Sequence, residues 1–200
     1  MGISRAKDLL AGARNERDRT RRHLLVAAAL HEVFTSDPIV VGGVAEDYWA
    51  ADVYVETDLD ICVPLTREDE LSLKKLGFSK DGRHWFHKAS SVAVEFPDSY
   101  IDGDEGRTVT VAVGGGSARI IGVEDLYLDR VRGATVNEWT DEDVSFRGAV
   151  AVASAHYLQM DWKYIVQRLA AILKAEPLVG RSMKRINSLA RRRARSATAR

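Results

Sequence analysis

Pro38-Ile39-Val40-Val41-Gly42-Gly43 and, further on, Thr57-Asp58-Leu59-Asp60-Ile61-Cys62-Val63-Pro64 are the stretches from which the fold of this chain is read. The first is a short, apolar, β-branched run closed by two glycines, the pattern of a buried strand entering a tight turn. The second alternates polar and apolar side chains. As a strand it places Asp58, Asp60 and Cys62 on one face and Leu59, Ile61 and Val63 on the other. The two aspartate Cα atoms then lie roughly 6.5–7 Å apart, so both carboxylates can lean onto one hard cation. Magnesium takes oxygen ligands of this kind, usually one or two carboxylates together with substrate phosphates. The glycine pair lets backbone N–H groups approach an anion, and a short helix expected over residues 45–50 turns its positive end to the same spot.

Outward from this block the chain alternates strand and helix signals. Upstream, Leu24, Leu25, Ala28, Ala29 and Val33 recur at helical spacing, which predicts an amphipathic helix over residues 21–34. Ser36-Asp37-Pro38 ends it. Residues 4–18 are read only as highly charged. Downstream, residues 68–76 predict a helix closed by Gly77. Strands are expected at 84–88, 91–96, 108–113 and 118–123, with Gly114-Gly115-Gly116 as a turn. Helices are expected at 124–132, 141–155 and 157–173, the last with a stripe of Leu158, Trp162, Ile165, Leu169 and Ile172. Pro177 and Gly180 then stop the helical pattern. The expected organisation is an α+β core at 20–122, a helical part at 123–176 and a flexible basic tail at 177–200.

A strand ending in Gly-Gly, a short helix and a strand bearing Asp-x-Asp together resemble the nucleotidyltransferase superfamily, the polymerase-β-like minimal fold. Thr57 before Asp58-Leu59-Asp60, and Val123-Glu124-Asp125-Leu126 at the start of the helical half, are similar to the AbiEii-like nucleotidyltransferase toxins. The resemblance spans roughly residues 25–175. It implies a mixed sheet flanked by helices and followed by helices, with Asp58 and Asp60 as metal-binding, catalytic carboxylates. It also implies a third carboxylate on a later strand. Glu95 in Val92-Ala93-Val94-Glu95-Phe96 matches best, because it alternates with the bulky apolar residues, whereas Asp98 follows Pro97 at the strand's end. Gly42 and Gly43 would cradle the phosphates of a nucleotide. Two positions depart from the family pattern. Val44 stands where Ser or Thr is usual, and residues 125–132 offer Arg130 and Arg132 in place of a lysine, so Arg130 is the expected phosphate contact.

Other reactive side chains weigh less. His84 and His87 are three apart and face opposite sides of a strand, so they do not share an ion. Cys62 has no neighbouring basic activator and is expected to be a buried thiol. Trp162 and Tyr164 are read as core and rim, and Asp161 as a solvated or cleft-facing acid.

Composition bounds the rest. The 200 residues are 46% hydrophobic and 29% charged with one cysteine, which excludes fibrous or wholly disordered chains and a disulfide framework. The longest early apolar run, residues 24–30, is too short to span a bilayer, so no membrane association and a cytoplasmic location are expected. Formal net charge is zero, yet residues 181–200 hold eight Lys or Arg and no acid, leaving the preceding part with eight more acids than bases. A basic terminus on an acidic body suits a polyanion such as RNA.

The expected activity is a magnesium-dependent (or manganese-dependent) transfer of a nucleoside monophosphate from an NTP to a hydroxyl. RNA is a candidate acceptor, and a toxin role paired with an antitoxin protein follows from the resemblance. The rival readings are a nucleotidyltransferase-fold protein that binds nucleotide without catalysis, and an antibiotic-modifying enzyme, which would leave the tail without a role.

Overall fold

The computed structural model describes residues 2–50, 58–136 and 143–198. Thr57 of the Asp-x-Asp stretch and the start of the helix expected at 141–155 lie outside them. The fold is mixed α+β, and the chain divides into two compact units. One runs to Tyr48 and then through the strands to Gly122; the other takes Trp49 and Ala50 and the helices from Val123 onward.

The first unit begins with α1 (Gly2–Asn15) and α2 (Arg19–His31). Residues 4–18, read above only for their charge, hide an apolar stripe. Ala6, Leu9, Leu10 and Ala13 recur at helical spacing and are buried. Asp18 caps α2 by accepting the Arg21 N–H at 2.7 Å. Every residue from His23 to Leu30 is buried, so α2 is enclosed on more than the single face its pattern predicts. Its three consecutive alanines, 27–29, leave room for that enclosure.

β1 (Ile39–Val40) enters α3 (Gly42–Trp49) through Gly42, and β2 (Asp58–Cys62) follows. α4 (Arg67–Lys75) is fixed at its start by a capping box between Thr66 and Asp69 and ends at Gly77, with φ +91°. Then come β3 (Phe78–Asp81), β4 (His84–His87), β5 (Val92–Glu95), β6 (Val109–Val113) and β7 (Gly116–Ile120). β3 is absent from the sequence reading because three of its four residues are exposed and polar, which erases the apolar alternation. The described strands form one sheet in the order β3-β4-β5-β2-β1-β7-β6. β2–β5 and β1–β7 are parallel and the remaining pairs antiparallel. β1 and β2 are therefore interior strands, with neighbours on both sides.

The second unit contains α5 (Val123–Val136), α6 (Val144–His156), α7 (Trp162–Ala175) and α8 (Val179–Thr198). Two expectations are corrected here. The helix expected over 157–173 starts only at Trp162, because α6 ends at His156 and a turn follows in which the His156 carbonyl accepts the N–H groups of Gln159 and Met160. Asp161 then starts α7 as its cap, accepting the Tyr164 N–H at 3.0 Å. Leu158 is thus outside the helical stripe and exposed. The second correction concerns residues 177–200, expected to be a flexible basic tail. It forms α8, which buries Val179, Ser182, Ile186 and Ala190 at successive turns and packs on α6 and α5. Tyr127, fully buried on α5, donates its hydroxyl to Asn187 Oδ1 at 2.7 Å. Among the described residues no helix is long and apolar enough to cross a membrane.

Candidate functional site

Three neighbouring strands of the first unit build the site, and their register decides which side chains meet. β2 pairs with β5 so that Asp60 lies beside Glu95 and Asp58 beside Ala93. β5 pairs with β4 so that Glu95 lies beside His84. Ladder partners project to the same face, as do residues two apart on one strand. Asp58, Asp60, Glu95 and His84 therefore occupy one face of the sheet. The intervening row, Leu59, Val94 and Trp85, turns the other way and is buried in the core. A one-residue slip would put the four polar groups into that core, so the apolar row fixes the register.

One ligand atom each from Asp58, His84 and Glu95 lie within 4.8 Å of one another. His84 Nε2 is 3.3 Å from Asp58 Oδ2 and 3.3 Å from Glu95 Oε2, and Arg83 Nη1 stands 3.3 Å from Glu95 Oε1. The Nε2 atom is sealed from solvent and forms no hydrogen bond. Asp60 takes a different neighbour. A Cβ on Gly42 would overlap its carboxylate, and Gly42 has φ +63°, where a side chain is strained. Glycine at 42 thus permits the first turn of α3 to lie directly against Asp60.

The other residues singled out by sequence lie as follows. Gly43 is buried beside Gly42, and the Val44 side chain is 1% exposed, packed inward. Asp98 is exposed beyond β5, where its carbonyl accepts the Val63 N–H at 3.1 Å; it is not part of the cluster. Cys62 is buried. His87 faces away from His84, stacks on Phe78 with ring centroids 4.8 Å apart and bonds Ser90 Oγ at 2.8 Å. Burial lowers its pKa below the usual imidazole value.

In the second unit, Arg130 on α5 lies 3.8 Å from Asp129, and Arg132 is held by Glu176 at 3.1 Å. Glu124 accepts the Asp161 N–H at 3.0 Å, and Asp125 accepts the Tyr164 hydroxyl at 2.6 Å, so the Glu-Asp-Leu element ties α5 to α7. The same unit carries a groove of about 400 Å³ along α8, lined by Tyr157, Asn187, Ser188 and four cations, Lys184, Arg191, Arg192 and Arg195.

Sequence reasoning weighed His84 only against His87 and so missed it. The signal was nevertheless present. Folding the strands expected at 84–88 and 91–96 about their common turn pairs His84 with Glu95, as the ladder does.

No family model and no curated protein matches the chain. Among solved structures it is similar to the crystal structure of an antigenic nucleotidyltransferase-like protein from Paracoccidioides brasiliensis. That comparison has a TM-score of 0.47 and 12% identity, covering 74% of this chain and 84% of that one. It is also similar to the solution structure of the antibiotic-resistance factor ANT(2'')-Ia, with a TM-score of 0.49 and 16% identity, covering 82% of this chain and 96% of that one.

Proposed function

We propose that the chain is a nucleotidyltransferase that moves a nucleoside monophosphate from an NTP to a hydroxyl acceptor with the help of a divalent cation. The observation that carries this reading is the carboxylate row on β2 and β5 set against the glycine turn of β1 and α3. The donor set suits a cation. Carboxylate and imidazole atoms already lie within 4.8 Å of one another, and ligands around a small divalent ion sit about 3–4 Å apart. Asp58, Asp60 and Glu95 would hold magnesium or manganese. When bound, the cation neutralises triphosphate charge and orients the reacting oxygens.

The chain's own residues then have distinct tasks. Gly42 and Gly43 offer backbone N–H groups to the phosphates at the start of α3. Glu95 accepts the proton of the acceptor hydroxyl as the oxygen attacks the α-phosphorus, and pyrophosphate leaves. Arg130 is assigned to phosphate on the family resemblance.

RNA is the proposed acceptor, supported by the cationic groove of α8, in which Tyr157 adds a ring on which a base can stack. A toxin role opposed by an antitoxin protein rests on the AbiEii-like resemblance alone. Expression that arrests growth only while Asp58 is intact is its expected outcome.

The test of the enzyme reading is incubation of purified protein with each labelled NTP, magnesium or manganese, and total RNA. The expected result is nucleotide incorporation with stoichiometric pyrophosphate release, abolished in Asp58→Ala. One observation favours a second reading, nucleotide binding without transfer. Val44 is packed inward where the family's hydroxyl would meet phosphate. Saturable NTP binding with no pyrophosphate release would select it.

A further inference from the structure

The geometry points to His84 as a metal ligand, which with Asp58 and Glu95 makes a one-nitrogen, two-oxygen site that takes a first-row transition cation in preference to magnesium. This inference rests on the proposed cation-dependent transfer for what the metal would be used for, and on the strand geometry for everything else.

An imidazole placed between two carboxylates is held there by a shared proton or by a shared cation. A shared proton calls for an N–H···O bond, and His84 Nε2 makes none, although Asp58 Oδ2 and Glu95 Oε2 each stand 3.3 Å away. The atom is also shut off from bulk solvent. A buried nitrogen left without a hydrogen bond calls for an explanation, and a coordinated ion supplies one. Three donors on three different strands, converging within 4.8 Å, are what a coordinated ion requires. The ladder makes the placement rigid. His84 is the direct partner of Glu95, and Asp58 lies two residues from Glu95's other partner, Asp60.

Donor chemistry then selects the metal. Magnesium takes oxygen and keeps several waters, whereas imidazole nitrogen suits manganese's later neighbours and is accepted by manganese itself. Replacing an oxygen donor by nitrogen raises affinity along the transition series and does nothing for magnesium. Asp60, pressed against Gly42, is not one of the three donors that converge within 4.8 Å, and remains the further oxygen donor of the cation used in the proposed transfer.

The test reads binding directly. Protein is titrated with Mn2+ while the signal of the free ion is followed by electron paramagnetic resonance, and the bound ion is examined by pulsed methods for coupling to nitrogen. The expected result is one bound Mn2+ with a 14N coupling that changes to the 15N pattern in protein labelled with 15N-histidine, an observation that needs no variant. His84→Gln should lose the coupling and bind Mn2+ at least about tenfold more weakly. Its affinity for Mg2+, read from competition against Mn2+, should change by less than about threefold.

Bound Mn2+ without nitrogen coupling overturns the inference, as does coupling that persists in His84→Gln. Absence of Mn2+ binding up to millimolar concentration overturns it as well. Nucleotide transfer measured in magnesium alone, with Asp58→Ala as its control, reports separately on the proposed activity. A chain that transfers nucleotide yet shows no nitrogen coupling keeps that activity and loses His84 as a ligand.

Discussion

The polar face of β2, β4 and β5 and the basic face of α8 are both collections of charge, built on opposite principles. On the sheet, four side chains from three strands meet because ladder partners must face the same way, and the buried row of Leu59, Val94 and Trp85 holds the register. The groups are short, partly enclosed and within 4.8 Å of each other in the case of Asp58, His84 and Glu95. On α8 the cations sit on long, exposed side chains of a single helix, spaced by its pitch and opposed by no acid in that segment. The first arrangement fixes atoms and can discriminate among small ions. The second supplies field and reach, and suits a long anion whose charges repeat. Position carries the chemistry in one region, and charge density carries it in the other.

That contrast breaks most easily at the aspartates. Asp58→Asn and Asp60→Asn should each lower nucleotide transfer by at least about a hundredfold, a loss typical of removing one preorganised charge. Melting temperatures should stay level or rise, since like charges are relieved. Parental rates in both variants would mean that the sheet face is only a solvated surface.

Gly42→Ala comes next, and it has an internal control. Gly42 and Gly82 both have φ near +60°, so alanine at either costs about 1–2 kcal/mol of backbone strain. Only at Gly42 would the added Cβ also overlap Asp60; around Gly82 nothing lies within 4 Å. Thermal melts should therefore show a larger loss for Gly42→Ala than for Gly82→Ala, and only the former should impair transfer. Equal losses would strip the close approach of energetic weight.

For the basic face the expected effects are smaller and graded. Changing Lys184, Arg191 and Arg192 to Gln should weaken RNA binding across sequences. The salt-dependence slope should fall by about 0.7 for each single-strand phosphate that is no longer neutralised. A slope unchanged in the triple variant would return α8 to a purely structural role, tied down by Ile186 and Ala190.

The smallest effect separates the two imidazoles of β4. His87 is neutralised by burial, so its folded pKa lies below the usual 6.5. Its contribution to stability is complete above pH 6.5 and is lost as pH falls through the folded value. His87→Gln should flatten the acid side of the melting profile, leaving Mn2+ binding unchanged. A changed metal affinity in that variant would mean that the two sheet faces are not independent.

What could be read from the sequence follows the range of the interactions involved. Asp58 and Asp60 were legible because their common face depends on a spacing of two within one strand. Glu95 was legible from the alternation around it. His84 was not, since its membership depends on a pairing across a turn, and its nearest similar residue, His87, points elsewhere. α8 was hidden for another reason. Its buried positions, Val179, Ser182, Ile186 and Ala190, include two small residues, and the charge between them masks the helical period. Asp161 belongs to the same class. A cap is visible as Asp before Trp162 only once the preceding helix is known to end at His156.

The pairing of β1 with β7 has a consequence for how the molecule comes into being. Ile39 and Val40, next to the glycine turn, take Arg119 and Ile120 as their parallel partners. Until residue 120 has been synthesised, β1 has only β2 beside it and one of its edges lacks its strand. The first unit therefore cannot finish its sheet before residue 120 has been made, and its completion waits on a pairing of long sequence separation, the kind that slows folding. A nascent chain halted before β6 and β7 should carry both aspartates and remain exposed to proteases along β1. One extended past Gly122 by the length of the ribosomal tunnel should acquire protection there in a single step.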